Sequence, residues 1–79
     1  MYYSNSEATL YLSLLKTTDV KVELYNILGQ KVSDVFKGEL SGQNHAIPFS
    51  IANLPSGAYY CAVFKNGGEV EMVPVRIAR

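Results

Sequence analysis

Apolar and polar residues alternate one for one along much of this chain, and that period restricts it to strands. Over 8–14, Leu10, Leu12 and Leu14 share one side while Thr9, Tyr11 and Ser13 share the other. Over 20–25, Val20, Val22 and Leu24 alternate with Lys21, Glu23 and Tyr25. Successive strand side chains point to opposite faces, so the pattern builds a sheet with one apolar and one wet face. No window places apolar residues at three- and four-residue spacing, as a helix requires. The class is therefore all-β.

Turn chemistry divides the alternation into segments. Lys16-Thr17-Thr18-Asp19 is a polar turn between the first two strands, and Asn26-Ile27-Leu28-Gly29 closes the next, with Gly29 at a left-handed position. The chain returns over 30–36 as the hairpin partner. Ile27 and Leu28 are apolar for a turn and are expected to plug the open end of the core. Residues 37–42 read as a longer connection holding Gly38 and Gly42. A short strand over 44–49 turns Ile47 and Phe49 inward, and Pro48 marks it as an edge strand or a strand end. The crossover 51–57 carries two apolar anchors, Ile51 and Leu54. Over 58–64 both faces are largely apolar, so this strand is expected at the centre of its sheet. Asn66-Gly67 or Gly67-Gly68 makes a tight turn, and the chain returns over 69–77, where Pro74 signals a bulge or an edge. Six to seven short antiparallel strands predict a small immunoglobulin-like β-sandwich; a closed small barrel satisfies the same pattern.

Seventy-nine residues make a single domain, 1–79, that buries roughly 60–65% of its unfolded surface, too little for an enzyme's deep pocket. Seven basic residues balance seven acidic ones, which removes the positive excess a nucleic-acid binder needs. No apolar run approaches the roughly 20 residues that span a bilayer, so no membrane insertion is expected. The start, Met1-Tyr2-Tyr3-Ser4-Asn5, lacks the basic and apolar regions of a secretory signal. Met1 then reads as an added start, and the chain as a domain excised from a longer secreted protein.

Residue types that carry chemistry are sparse. His45 is the sole histidine and has no metal-ligand spacing around it, so it reads as a surface strand residue, with no metal or cofactor expected. Cys61 cannot form an internal disulfide, and between Tyr59 and Val63 it reads as a buried, inert thiol. Glu69 and Glu71 share a strand face but lack the pocket that paired carboxylates need for acid–base work. No catalytic residue is assigned. Tyr2, Tyr3, Tyr11 and Tyr25, if they face outward, would suit sugar stacking, although β-strands favour tyrosine for packing alone.

Three phrases lie in a telling order: Leu24-Tyr25-Asn26-Ile27-Leu28-Gly29-Gln30-Lys31-Val32, then Gly42-Gln43-Asn44-His45, then Leu54-Pro55-Ser56-Gly57-Ala58-Tyr59-Tyr60. From about residue 2 to residue 79 the chain resembles the C-terminal sorting domains of the type IX secretion system, carried by exported proteins of Bacteroidota. The matching positions are Tyr25, Gly29, Gln30 and Val32 in the first phrase, Gly42 in the second, and Leu54, Pro55, Gly57 and Tyr59 in the third. The family opens with proline-asparagine-proline; here Asn5 is kept but Ser4 and Ser6 replace both prolines, removing the fixed φ that they impose.

The resemblance implies an address read by the outer-membrane export machinery at the end of a cargo protein. It passes through the periplasm to the cell surface or medium, and in many members a sortase-like peptidase then removes it. The segments expected to be read are 38–42, with Gly38 and Gly42, and the final strand, with Val75, Arg76 and Arg79. A homodimer is expected of the isolated domain, because the two-sided strand over 58–64 leaves apolar surface uncovered. The competing reading from another class is a binding module: an immunoglobulin-like spacer of an adhesin or a carbohydrate-binding accessory of a glycan-degrading enzyme.

Overall fold

In the computed structural model, which describes residues 2–3 as backbone and 7–78 in full, the alternating segments pair as antiparallel strands. They are β1 (Tyr2–Tyr3), β2 (Glu7–Leu12), β3 (Thr18–Asn26), β4 (Lys31–Leu40), β5 (His45–Ser50), β6 (Gly57–Lys65) and β7 (Glu69–Ile77). Two sheets result, one ordered β1-β2-β5 and the other β4-β3-β6-β7. They are separate ladders stacked face to face, so the fold is the sandwich and not the barrel. The order matches strands A, B and E against C′, C, F and G of an immunoglobulin-type sandwich.

The alternation places the core. Leu10 and Leu12 of β2, with Ile47 and Phe49 of β5, meet Val20, Val22 and Leu24 of β3 and Tyr59, Cys61 and Val63 of β6. Val75 and Ile77 of β7 complete that layer, and the crossover anchor Ile51 is buried beneath its loop while Leu54 packs half-buried against the cluster. β6 is central, paired on one side with β3 and on the other with β7. Pro48 and Pro74 both sit on edge strands, where a missing N–H disturbs least. The β6–β7 ladder runs without a register shift, so Pro74 marks an edge and no bulge. The turn between them centres on Asn66 (φ 53°) and Gly67 (φ 75°), closed by the Gly68 N–H donating to the Lys65 carbonyl at 3.2 Å.

Three expectations are corrected. Residues 37–40 are not a loop: β4 continues to Leu40, with Gly38 opposite Val20 and Leu40 opposite Thr18. The two register shifts, at Val22/Glu23 and Leu24/Tyr25, fall before Phe36, in the part that reads as a strand. Beyond it the pairing is regular, and Gly38 in a polar run toward Gly42 is what gives residues 37–40 the look of a loop. At Gly38 the missing Cβ makes room for the Phe36 ring, which would lie 3.3 Å from it. Ile27 and Leu28 do not plug the core; they are 69% and 78% exposed. The strand over 20–25 also begins earlier, at Thr18, whose hydroxyl donates to the Lys16 carbonyl at 2.8 Å.

Candidate recognition surface

The first phrase is a turn locked by one side chain. Asn26 Oδ1 accepts from the Leu28 N–H (2.9 Å) and the Gln30 N–H (3.1 Å), and Asn26 Nδ2 donates to Gln30 Oε1 (3.0 Å). The backbone adds Gly29 N–H to the Asn26 carbonyl and Asn26 N–H to the Gln30 carbonyl, both 3.1 Å. Gly29 sits at φ 82°, which a Cβ-bearing residue resists. With Asn26, Gly29 and Gln30 engaged in the backbone, Ile27 and Leu28 have nowhere to point but outward. The apolar pair is thus presented, not hidden.

The third phrase has its own logic. Tyr59, buried at the start of β6, reaches back to donate its hydroxyl to the Pro55 carbonyl at 2.7 Å. That is the tyrosine corner of immunoglobulin-type sandwiches, here at the crossover from β5 to β6. Leu54 is held by its N–H to the Ile51 carbonyl at 3.1 Å. Tyr59→Phe is expected to lower stability by about 1 kcal/mol, or roughly 4–8 °C in Tm, because the exposed Pro55 carbonyl regains water. A thermal melt followed by circular dichroism checks this.

In the second phrase Gly42 (φ 85°) and Asn44 (φ 65°) bend the chain from one sheet to the other. The Gly42 carbonyl accepts from the Leu14 N–H at 3.2 Å, and His45 Nε2 lies 2.7 Å from the Ser41 carbonyl. The half-buried His45 therefore serves this crossing. Among the described residues no three His, Cys, Asp or Glu side chains converge on a point that could hold a metal ion.

A charged knot occupies the outer face of the larger sheet. Glu23, only 8% exposed, accepts from the Tyr25 hydroxyl at 2.5 Å and lies 3.6 Å from Lys31 Nζ and 3.9 Å from Lys21 Nζ. Lys31 also pairs with Asp34 at 3.1 Å. The hydrogen bond to Glu23 raises the Tyr25 pKa, and the hydrogen bond to Asp34 raises that of Lys31. Lys21 Nζ lies 4.8 Å from the centre of the Phe64 ring. Burial pushes the Cys61 thiol up to about 11, so at neutral pH it is protonated and no nucleophile. Glu69 and Glu71 are exposed, and Glu71 pairs with Lys65 at 3.3 Å.

The expected recognition residues fall on two distant corners. Gly38 lines an outer-face groove of about 510 Å³ with Asp19, Lys21, Lys37, Glu39 and Phe64. Arg76 is exposed on β7 opposite Ala58, whereas Gly38 aligns through Val20 with Lys65 at the other end of β6. At ~3.3 Å per residue and ~4.8 Å per strand, the two corners lie roughly 27 Å apart. Val75 faces the core, 3% exposed. Asn5 and Arg79 lie outside the described residues, as do the side chains of Tyr2 and Tyr3.

Sequence reasoning passed over a second groove, of about 390 Å³, on the same outer face, lined by Tyr25, Ile27, Tyr60, Phe64, Val70 and Met72 among others. Its trace was the two-sided apolar pattern of β6. Compared with known proteins, the chain matches a family model described as a secretion system C-terminal sorting domain over residues 4–73. That span includes all three phrases and ends one residue before Pro74. No curated protein and no solved structure matches it.

Proposed function

Because the chain belongs to the secretion system C-terminal sorting domain family and is thereby a signal for type IX secretion, we propose that the export machinery holds it at two separate corners of its larger sheet. The domain is recognised by that machinery and is attached to an upstream cargo, which it directs to the cell surface or the medium. The family match over residues 4–73 carries the assignment. Its members are addresses, not catalysts.

The finer steps are our own reading. The cargo crosses the periplasm with this domain folded. One contact is made around Gly38 and Gly42, the other along the β7 edge at Arg76, where an extended segment of the receptor adds to the sheet. The β7 edge suits that role, since among the described residues it pairs only with β6. A sortase-like peptidase removes the domain after export, and the released domain pairs weakly with a second copy of itself.

The test is a fusion of residues 1–79 to the C-terminus of a periplasm-targeted fluorescent reporter in a Bacteroidota host. Export to the surface or medium is expected only where the type IX translocon works. A folded, intact fusion retained in the periplasm of both strains would overturn the proposal and favour the spacer or sugar-binding module.

A further inference from the structure

Across the outer face of the larger sheet, strand register sets three rows: Tyr25, Tyr60 and Pro74; Glu23, Ala62 and Met72; Lys21, Phe64 and Val70. Ala62, the smallest of the nine, lies between the two outward-facing aromatic residues of β6, Tyr60 and Phe64, and leaves a trough there, the groove of about 390 Å³. Its walls are unusually bare: Tyr60 is 38% exposed, Val70 49%, Met72 53% and Ile27, at the end of the trough, 69%.

We infer that the self-pairing proposed above, on which this inference rests, runs through that trough, with Ile27 of each copy seated in the trough of the other about a two-fold axis. Three observations select a second copy as the occupant. None of the residues lining the trough is charged. The charges beside it compensate one another, Lys21 and Lys31 against Glu23 and Asp34, so no net field steers a charged partner to the face. The anchor and the trough lie side by side, which is what an isologous contact needs, because each copy must supply both.

Area fixes the strength. At these exposures the four bare side chains offer roughly 400 Å² per copy, or about 800 Å² in all, below the ~1,000 Å² that a stable specific interface clears and in the range of weak, transient pairs. The pairing is therefore weak and concentration-dependent. The rigid Asn26-locked turn helps, since Ile27 is presented without further ordering.

Sedimentation equilibrium on residues 1–79 between about 10 µM and 1 mM tests it. The weight-average mass is expected to rise from monomer toward dimer over that range. Ile27→Asp and Met72→Glu are each expected to raise the dissociation constant about tenfold or more. Tyr11→Glu, on the exposed outer face of β2 in the other sheet, is expected to leave it unchanged. Ile27 lies in an exposed turn outside the core, so its variant decides the matter even if Met72→Glu unfolds. A monomer mass throughout would overturn self-pairing itself. A dimer that persists in Ile27→Asp, or is lost equally in Tyr11→Glu, would overturn this face alone.

Discussion

Leu24→Ala is expected to lower stability by about 3–4 kcal/mol, whereas Leu28→Ala, four residues away in the same phrase, is expected to change it by no more than ~0.5 kcal/mol. The substitution is the same; the surroundings are not. Leu24 is fully buried on β3, flanked by Ser33 and Cys61 and facing the smaller sheet. Its removal leaves a cavity that a core only two side chains thick has little material to fill. Leu28 is 78% exposed, on a turn held by the Asn26 side chain. A domain of this length has a total stability of about 4–12 kcal/mol, so the first change takes a quarter of it or more. Guanidinium unfolding of both variants checks the contrast, and equal midpoints would show that Leu24 is not the centre of the core.

The contrast also shows where sequence reading reaches and where it stops. The strand β3 was legible because uninterrupted alternation runs through it, β6 because β-favouring residues fill both of its faces, and β7 because a tight glycine turn follows β6. Pro48 and Pro74 marked edges because a residue without an N–H has few other places in a sheet. Ile27 and Leu28 misled because apolar character gives affinity for a core, while direction is set by the backbone. Five hydrogen bonds that tie Asn26 to Leu28, Gly29 and Gln30 overrule that affinity. β4 was cut short at residue 36 because Gly38, poor in strand propensity, and the approach to Gly42 look like turn chemistry, although residues 36–40 pair with β3 in regular register. The partition into two sheets has no local trace, since it depends on which distant segments pair.

The family residues were found in sequence, but their work became visible only in three dimensions. Asn26, Gly29 and Gln30 lock a turn, and Tyr59 with Pro55 locks a corner. These residues spend their polar groups on the fold itself and leave few to offer a partner. Contact surface must then come from the side chains that they position.

For that reason Arg76→Glu is expected to cut export of a fused reporter at least about tenfold while leaving the domain folded. Arg76 is exposed on the outer face of β7, and among the described residues it makes no ion pair, so its replacement should alter stability by no more than ~0.5 kcal/mol. Deleting residues 73–79 looks like the more direct experiment but confounds two causes. It would remove Val75 and Ile77, 3% and 2% exposed, and with them one edge of the core. Lost export would then report unfolding as readily as lost contact. The charge reversal separates the two, with Arg76→Lys as a companion that keeps the charge but not the bidentate geometry. A folded Arg76→Glu fusion that reaches the surface as efficiently as the parent would remove this corner from the recognition surface, and attention would pass to Gly38 and Gly42 at the other.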